Sequence, residues 1–228
     1  MRITDIKTYV LVADNADVSL TSSAQDTILV EIYTDNGIIG YGETDTNPWV
    51  AKALIDSPGT HTMDQSMKDI LIGKDPLDID KRWEELYVGT AMTGRRGAGV
   101  NAIGAIDMAL WDIKGKHEEK PVYELMGGNY HETITPYASL QPLGSSFEEY
   151  RDSLVEWAER AKNLGFKAVK SEVTMNGPYA HNGMNENDDK HTLVIESVRK
   201  ALGPEVKLMV DVQYKWKTAE DALRTVKD

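Results

Sequence analysis

The chain opens with three short apolar alternations. Ile3 to Val12, Thr27 to Thr34 and Ile38 to Glu43 read as strands, and Asp35-Asn36-Gly37 reads as a hairpin turn between the last two. The pattern is an antiparallel meander. Between the first two strands, the polar stretch Asp14 to Asp26, with Thr21, Ser22 and Ser23, reads as a surface loop. From Pro48 to Gly127 the apolar period lengthens to that of a helix. Met63, Met67 and Ile70 or Leu71 share a face, and Trp83, Leu86 and Tyr87 follow Asp78 as a cap. The strongest helix runs from about Gly99 to Lys116, where Val100, Ile103, Ile106, Leu110 and Ile113 recur at helical spacing. In it, Gly104 and Ala105 leave room for another element to approach, and Asp107 and Asp112 read as solvated or capping carboxylates.

After Gly127-Gly128 the order becomes strand, helix, strand, helix, strand, helix, which marks a boundary between residues 1–128 and 129–228. Thr133 to Leu140 is the first strand of this half. Ser146 and Glu149 then form a capping-box pattern, and Phe147, Tyr150, Leu154, Trp157, Ala161 and Leu164 make an apolar stripe that ends at Gly165. Phe166 to Val173 and Val206 to Val212 are the next strands, with a helix covering Leu193 to Leu202 between them and another from Thr218. Such alternation predicts parallel strands with helical crossovers. A closed eight-stranded β/α barrel takes roughly 250 residues, so three of its units need about 94. Residues 130 to 228 number 99. A short doubly wound sheet is the competing architecture, but no glycine-rich phosphate loop follows the first strand.

Composition narrows the partners. With 37 acidic against 25 basic residues, the net charge of −12 disfavours nucleic acid and anionic membrane surfaces. There is no cysteine, so neither disulfides nor thiolate ligation can occur. No apolar run approaches the length of a membrane span, and Met1 to Ile6 lacks the apolar core of a signal peptide. A cytoplasmic globular protein is the expectation. The histidines at 61, 117, 131, 181 and 191 show no zinc-type spacing.

Candidate chemistry gathers at two strand ends. Alternation places Lys170 and Glu172 on one face about 6.6 Å apart, and Asp211 and Gln213 share a face in the same way. In parallel α/β proteins the reacting groups collect at these carboxyl ends. The alternative for Lys170 and Glu172 is a structural ion pair near the rim. The polar segment Thr174 to Lys190, with His181, overhangs the same end as a lid or as a disordered excursion.

The residues resemble the mandelate racemase and muconate lactonizing branch of the enolase superfamily along essentially the whole chain. The resemblance is carried by Gly40-Tyr41-Gly42-Glu43, Ala105 to Lys116, Pro121 to Gly128, Gly165 to Lys170, and Val210-Asp211. It implies an α+β capping domain, then a TIM-type β/α barrel of which the first three units are present. It also implies Mg2+ held by carboxylates at the third, fourth and fifth strand ends, with Asp211 matching the first ligand. Lys170 matches a lysine that contacts the substrate. Ser22 lies in what looks like the family's substrate-covering loop, and Gln213 and His181 are further substrate-binding candidates. Many members carry Lys-x-Lys on the second strand, whereas this chain has Lys170-Ser171-Glu172. A lysine base is therefore excluded at that position, and Glu172 remains as a base or as a partner to a substrate hydroxyl.

The family resemblance thus implies a homo-oligomeric enzyme acting on a small carboxylate, most simply dehydrating an acid sugar. Racemisation, epimerisation or cycloisomerisation is the runner-up, and a non-catalytic remnant or binding protein is the reading from another class. Three barrel strands alone leave an unpaired edge and an open apolar interior. The isolated 228-residue chain is expected to be inactive and to aggregate or need a partner, which a soluble, cooperatively melting and active preparation would overturn.

Overall fold

A computed structural model describes residues 1–17, 25–94 and 96–226, and the chain divides into one compact unit over Met1–Tyr130 and a second from His131 onward. In the first unit, β1 (Ile3–Val12), β2 (Asp26–Thr34) and β3 (Ile39–Thr44) form the antiparallel meander in that order. Ile28, Val30 and Ile32 alternate into the core, and Gly37, at φ 86°, makes the left-handed turn between β2 and β3.

Among the described residues, six helices complete this unit: α1 (Pro48–Asp56), α2 (Met67–Leu71), α3 (Ile79–Gly89), α4 (Ala91–Gly94), α5 (Ala98–Glu118) and α6 (Val122–Leu125). Met63 falls outside any helix and is exposed, because α2 starts only where Ser66 caps the Asp69 amide. The long helix α5 lays Ala102, Ile103, Ala105, Ile106, Ala109, Leu110 and Ile113 into the core.

The close approach expected at Gly104 is made from the other side. A methyl at Gly104 would meet nothing within 4 Å, whereas one at Gly40 would lie 2.1 Å from the Ala109 carbonyl and one at Gly42 1.9 Å from that of Ala105. The glycines are on the strand, and the alanines of α5 receive them. Asp112 then staples the same contact, accepting the Tyr41 amide at 2.9 Å and the Lys116 ammonium at 2.6 Å. Asp107 is half-buried, and burial followed by the nearby Asp80 raises its pKa. Neither carboxylate is a bare solvated charge.

In the second unit, β4 (Tyr137–Leu140), β5 (Ala168–Glu172) and β6 (Lys207–Asp211) are parallel and adjacent in that order, with α7 (Phe147–Asn163), α8 (Asp188–Leu202) and α9 (Ala219–Val226) following the successive strands. The capping box forms as read: Ser146 accepts the Glu149 amide, and Glu149 accepts the Ser146 amide at 3.1 Å. Phe147, Tyr150, Leu154, Ala158 and Ala161 make the buried stripe of α7. Trp157 and Leu164, read as part of that stripe, are exposed, because the stripe is narrower than the period alone implies. Val169, Val194, Val198 and Leu202 close the core, each contributing about 1.5–3 kcal/mol by leaving water.

Gly42→Ala should cost about 3 kcal/mol or more, since the new methyl overlaps helix backbone. Gly104→Ala should stabilise by about 0.5–1 kcal/mol, because open space surrounds a glycine in a helix interior. Urea denaturation of both variants checks the pair, and equal effects would contradict the placement of the contact.

Candidate active site

The pleat of the parallel sheet sorts its side chains. Ala138, Leu140, Val169 and Leu208 point to the face covered by α7 and α8. Tyr137, Lys170, Met209 and Asp211 lie on the other face, which stays partly exposed. The register sets Glu172 beside Asp211 and Lys170 beside Met209.

Lys170 does not pair with Glu172. Its Nζ lies 3.0 Å from Asp211 Oδ2 across the strand boundary, and 5.6 Å from the centre of the Tyr137 ring. The hydrogen bond to Asp211 holds the Lys170 ammonium above its ordinary pKa, against a smaller opposing effect of desolvation. In turn Lys170, and then the Gln213 amide, hold Asp211 below the ordinary carboxylate range. Both groups are therefore charged at neutral pH, with about 30% of each side chain open to solvent.

Glu172 is 4% exposed and accepts a hydrogen bond from Thr174 Oγ1 at 2.9 Å. The strand end beneath it is fixed by Tyr150 of α7. The Tyr150 hydroxyl donates to the Glu172 carbonyl at 3.0 Å and accepts the Thr174 amide at 2.9 Å. Burial raises that phenol to about 12, so it stays a donor.

Gln213 departs from the alternation expected of it. The strand ends at Asp211, and Gln213 takes φ 43°, so its backbone turns and its amide donates to Asp211 Oδ1 at 3.2 Å. His181 sits in a 3-10 turn, His181–Gly183, its Nε2 2.8 Å from the Gly144 carbonyl and its ring edge-on to Tyr150. The segment after β5 is thus a structured loop, closed by the His181 amide on the Thr174 carbonyl and the Glu186 amide on the Met175 carbonyl. Ser22 lies outside the described residues.

A charged cluster at the same end escaped sequence reading. Lys215, its side chain 4% exposed, lies 2.8 Å from Asp188 Oδ1 and in contact with the ring of buried His191. Asp188 also accepts from Asn176 at 3.1 Å and from Thr225 at 2.8 Å. Burial pushes the Asp188 carboxyl up, but these donors outweigh it and hold the group well below its ordinary range. His191 is lowered by burial and then by Lys215, which keeps it neutral. Only contact between segments 27 residues apart reveals the Asp188–Lys215 pair.

Asp211 offers the hard oxygen that magnesium requires, but such an ion takes several oxygen ligands in near-octahedral geometry. Among the described residues, no three His, Cys, Asp or Glu side chains gather to hold a metal ion.

Residues 7–127 match the mandelate racemase / muconate lactonizing enzyme N-terminal domain. The chain belongs to that family, within the enolase superfamily. Among curated members of this mandelate racemase / muconate lactonizing enzyme family, D-galactarolactone cycloisomerase of Agrobacterium fabrum is 31% identical over 96% of this chain and 54% of that protein. Arabinonate dehydratase of Saccharolobus solfataricus is 29% identical over 97% and 56%. The chain spans about half the length of the curated relatives it matches. Of solved structures, the 3,6-anhydro-D-galactonate cycloisomerase of Zobellia galactanivorans aligns with TM-score 0.75 and 30% identity over 100% of this chain and 56% of that one. A racemase of Streptomyces coelicolor A3(2) with bound magnesium aligns with TM-score 0.77 and 26% identity over 99% and 58%. Among the described residues no helix is long and apolar enough to cross a membrane.

Asp188 and Asp211 are both more acidic in the folded chain than a free aspartate at about 3.9. Each therefore contributes stability in full above that value and loses it as pH falls through the folded one. The stability difference between the wild-type chain and Asp188→Asn, measured by urea denaturation, should narrow as pH falls from about 5 toward 2. A difference that stays constant would show that the charge of Asp188 is not its source.

Proposed function

We propose that the chain supplies the capping domain, residues 1–128, and the first three β/α units, residues 129–228, of a barrel enzyme that removes the proton next to a substrate carboxylate. Dehydration of an acid sugar is the reaction. The observation that carries this reading is the Lys170–Asp211 pair, at the carboxyl ends of adjacent parallel strands and on the sheet face that α7 and α8 leave open. Parallel sheets are ordinarily covered on both faces, and further strands curling into a barrel would enclose this one.

Asp211 is the residue that would hold a magnesium ion, which when bound supplies positive charge to the substrate carboxylate. Lys170 presents a fixed ammonium to the same carboxylate and favours the negative charge that develops as the proton leaves. Glu172 is hydrogen-bonded and almost fully buried, which suits a partner to a substrate hydroxyl better than a base open to solvent. The proton acceptor belongs to a later strand of the barrel. Gln213, His181 and Ser22 are assigned to the substrate's polar groups. Loss of the C2 proton and then of the C3 hydroxide leaves an enol that becomes the 2-keto-3-deoxy acid.

The arabinonate dehydratase and two proteins named as D-galactonate dehydratase family members, at 29–30% identity over more than nine-tenths of this chain, support dehydration. The second reading is cycloisomerisation, favoured by the relatives from Agrobacterium fabrum and Zobellia galactanivorans. The two readings differ in product mass. Incubating the complete enzyme with an acid-sugar and sugar-lactone library should give a product lighter by one water, whereas an isomer of unchanged mass would establish cycloisomerisation. Asp211→Asn should lower turnover at least about a hundredfold. Failure of the intact protein to bind magnesium, together with no turnover across the library, would establish the non-catalytic reading.

A further inference from the structure

Two consecutive non-glycine residues, Gln213 at φ 43° and Tyr214 at φ 57°, occupy left-handed backbone directly after Asp211. L-residues avoid that region, and a bulky aromatic has no local hydrogen bond to offset the crowding. Such a turn persists only where its surroundings over-determine it. Tyr214 supplies little of the constraint, since the residue is 83% exposed and its ring meets that of the likewise exposed Tyr179 edge-on at 5.9 Å.

Lys215 supplies it. It is the next residue, and its amide closes the turn on the Val212 carbonyl at 3.0 Å. Its ammonium is buried between Asp188 Oδ1, the neutral His191 ring and the face of Trp216 at 4.9 Å. Asp188 is itself fixed from two further segments, by Asn176 in the loop after β5 and by Thr225 in α9. Breaking the Lys215 contact would leave a buried charge unpaired, so the anchor is hard to release. With the turn held this way, the Gln213 amide points at Asp211 Oδ1 while Lys170 holds Oδ2.

We infer that Lys215 is a positioning residue, whose buried ammonium, paired with the half-exposed Asp188, holds the left-handed Gln213–Tyr214 turn and so orients the Asp211 carboxylate. Its consequence for catalysis rests on the reading of Asp211 given above, whereas the mechanical link stands without it. Glycine enters left-handed backbone without steric cost, so Tyr214→Gly relieves the bulkier of the two strained positions and should make the turn less dependent on its anchor.

The test is amide hydrogen exchange of the substrate-free complete protein. In Lys215→Met the Gln213 amide should exchange about tenfold faster or more, with Val194 and Val198 of α8 unchanged. Adding Tyr214→Gly should restore most of the protection. If Lys215→Met does not fold, Asp188→Asn with Lys215→Gln, which removes both charges, is expected to give the same selective loss. An unchanged Gln213 amide would overturn the inference, as would a loss shared equally by α8 that glycine fails to repair. Where the enzyme turns over, kcat should fall in Lys215→Met and recover in the double variant. Exchange that changes without kcat would overturn the positioning role. No turnover in the unsubstituted protein would defeat the enzymatic reading alone, because exchange is read without substrate.

Discussion

The period-two pleat of β5 governs what the second unit can do. Val169 must face α7 and α8 to complete the core, and that commitment sends Lys170 and Glu172 to the opposite face. The parallel register then sets Glu172 beside Asp211, and the long lysine side chain reaches from one step earlier to the same carboxylate. A slip of one residue would bury the ammonium among valines and turn the hydrophobic positions to water. Core packing and site geometry are therefore one constraint, and neither can drift without the other.

The ends of these strands are held by side chains, because the sheet ladder stops there. Tyr150 satisfies a carbonyl and an amide just past β5, Asp188 gathers three donors, and His181 ties the loop after β5 to the Gly144 carbonyl before α7. Buried backbone groups need partners, and at the end of β5 they come from Tyr150 of α7, a helix anchored by the core. Rigid supports of this kind are what keep a charged pair in one geometry when about a third of it touches solvent.

Much of this was legible in the residues. The meander, the capping box at Ser146 and Glu149, the helix covering Ile103 to Ile113, and the placement of Lys170 and Asp211 at strand ends all rest on short-range periodicity. The family could also be read, because its motifs are contiguous stretches. What escaped depends on pairing across distance or on backbone that leaves the regular regions. Periodicity cannot say that Lys170 prefers Asp211 to Glu172, since both partners are compatible with one face. Nor does anything in Asp211-Val212-Gln213-Tyr214 announce a left-handed turn, because neither of its last two residues is glycine, asparagine or aspartate. Nothing in the local sequence marks Lys215 or His191 as buried; only the fold puts Asp188 and Trp216 around them. Gly104 misled for a related reason: a small residue permits close approach without saying which partner uses it.

The glycines at 40 and 42 bear on how the chain finds its register. They flank Tyr41, so a β3 displaced by one position along β2 would aim a phenol ring at helix carbonyls that leave no room for a single methyl. The correct hairpin fits against α5, and the slipped one would clash with it. The register of β3 is therefore specified by the helix it packs against as well as by its turn.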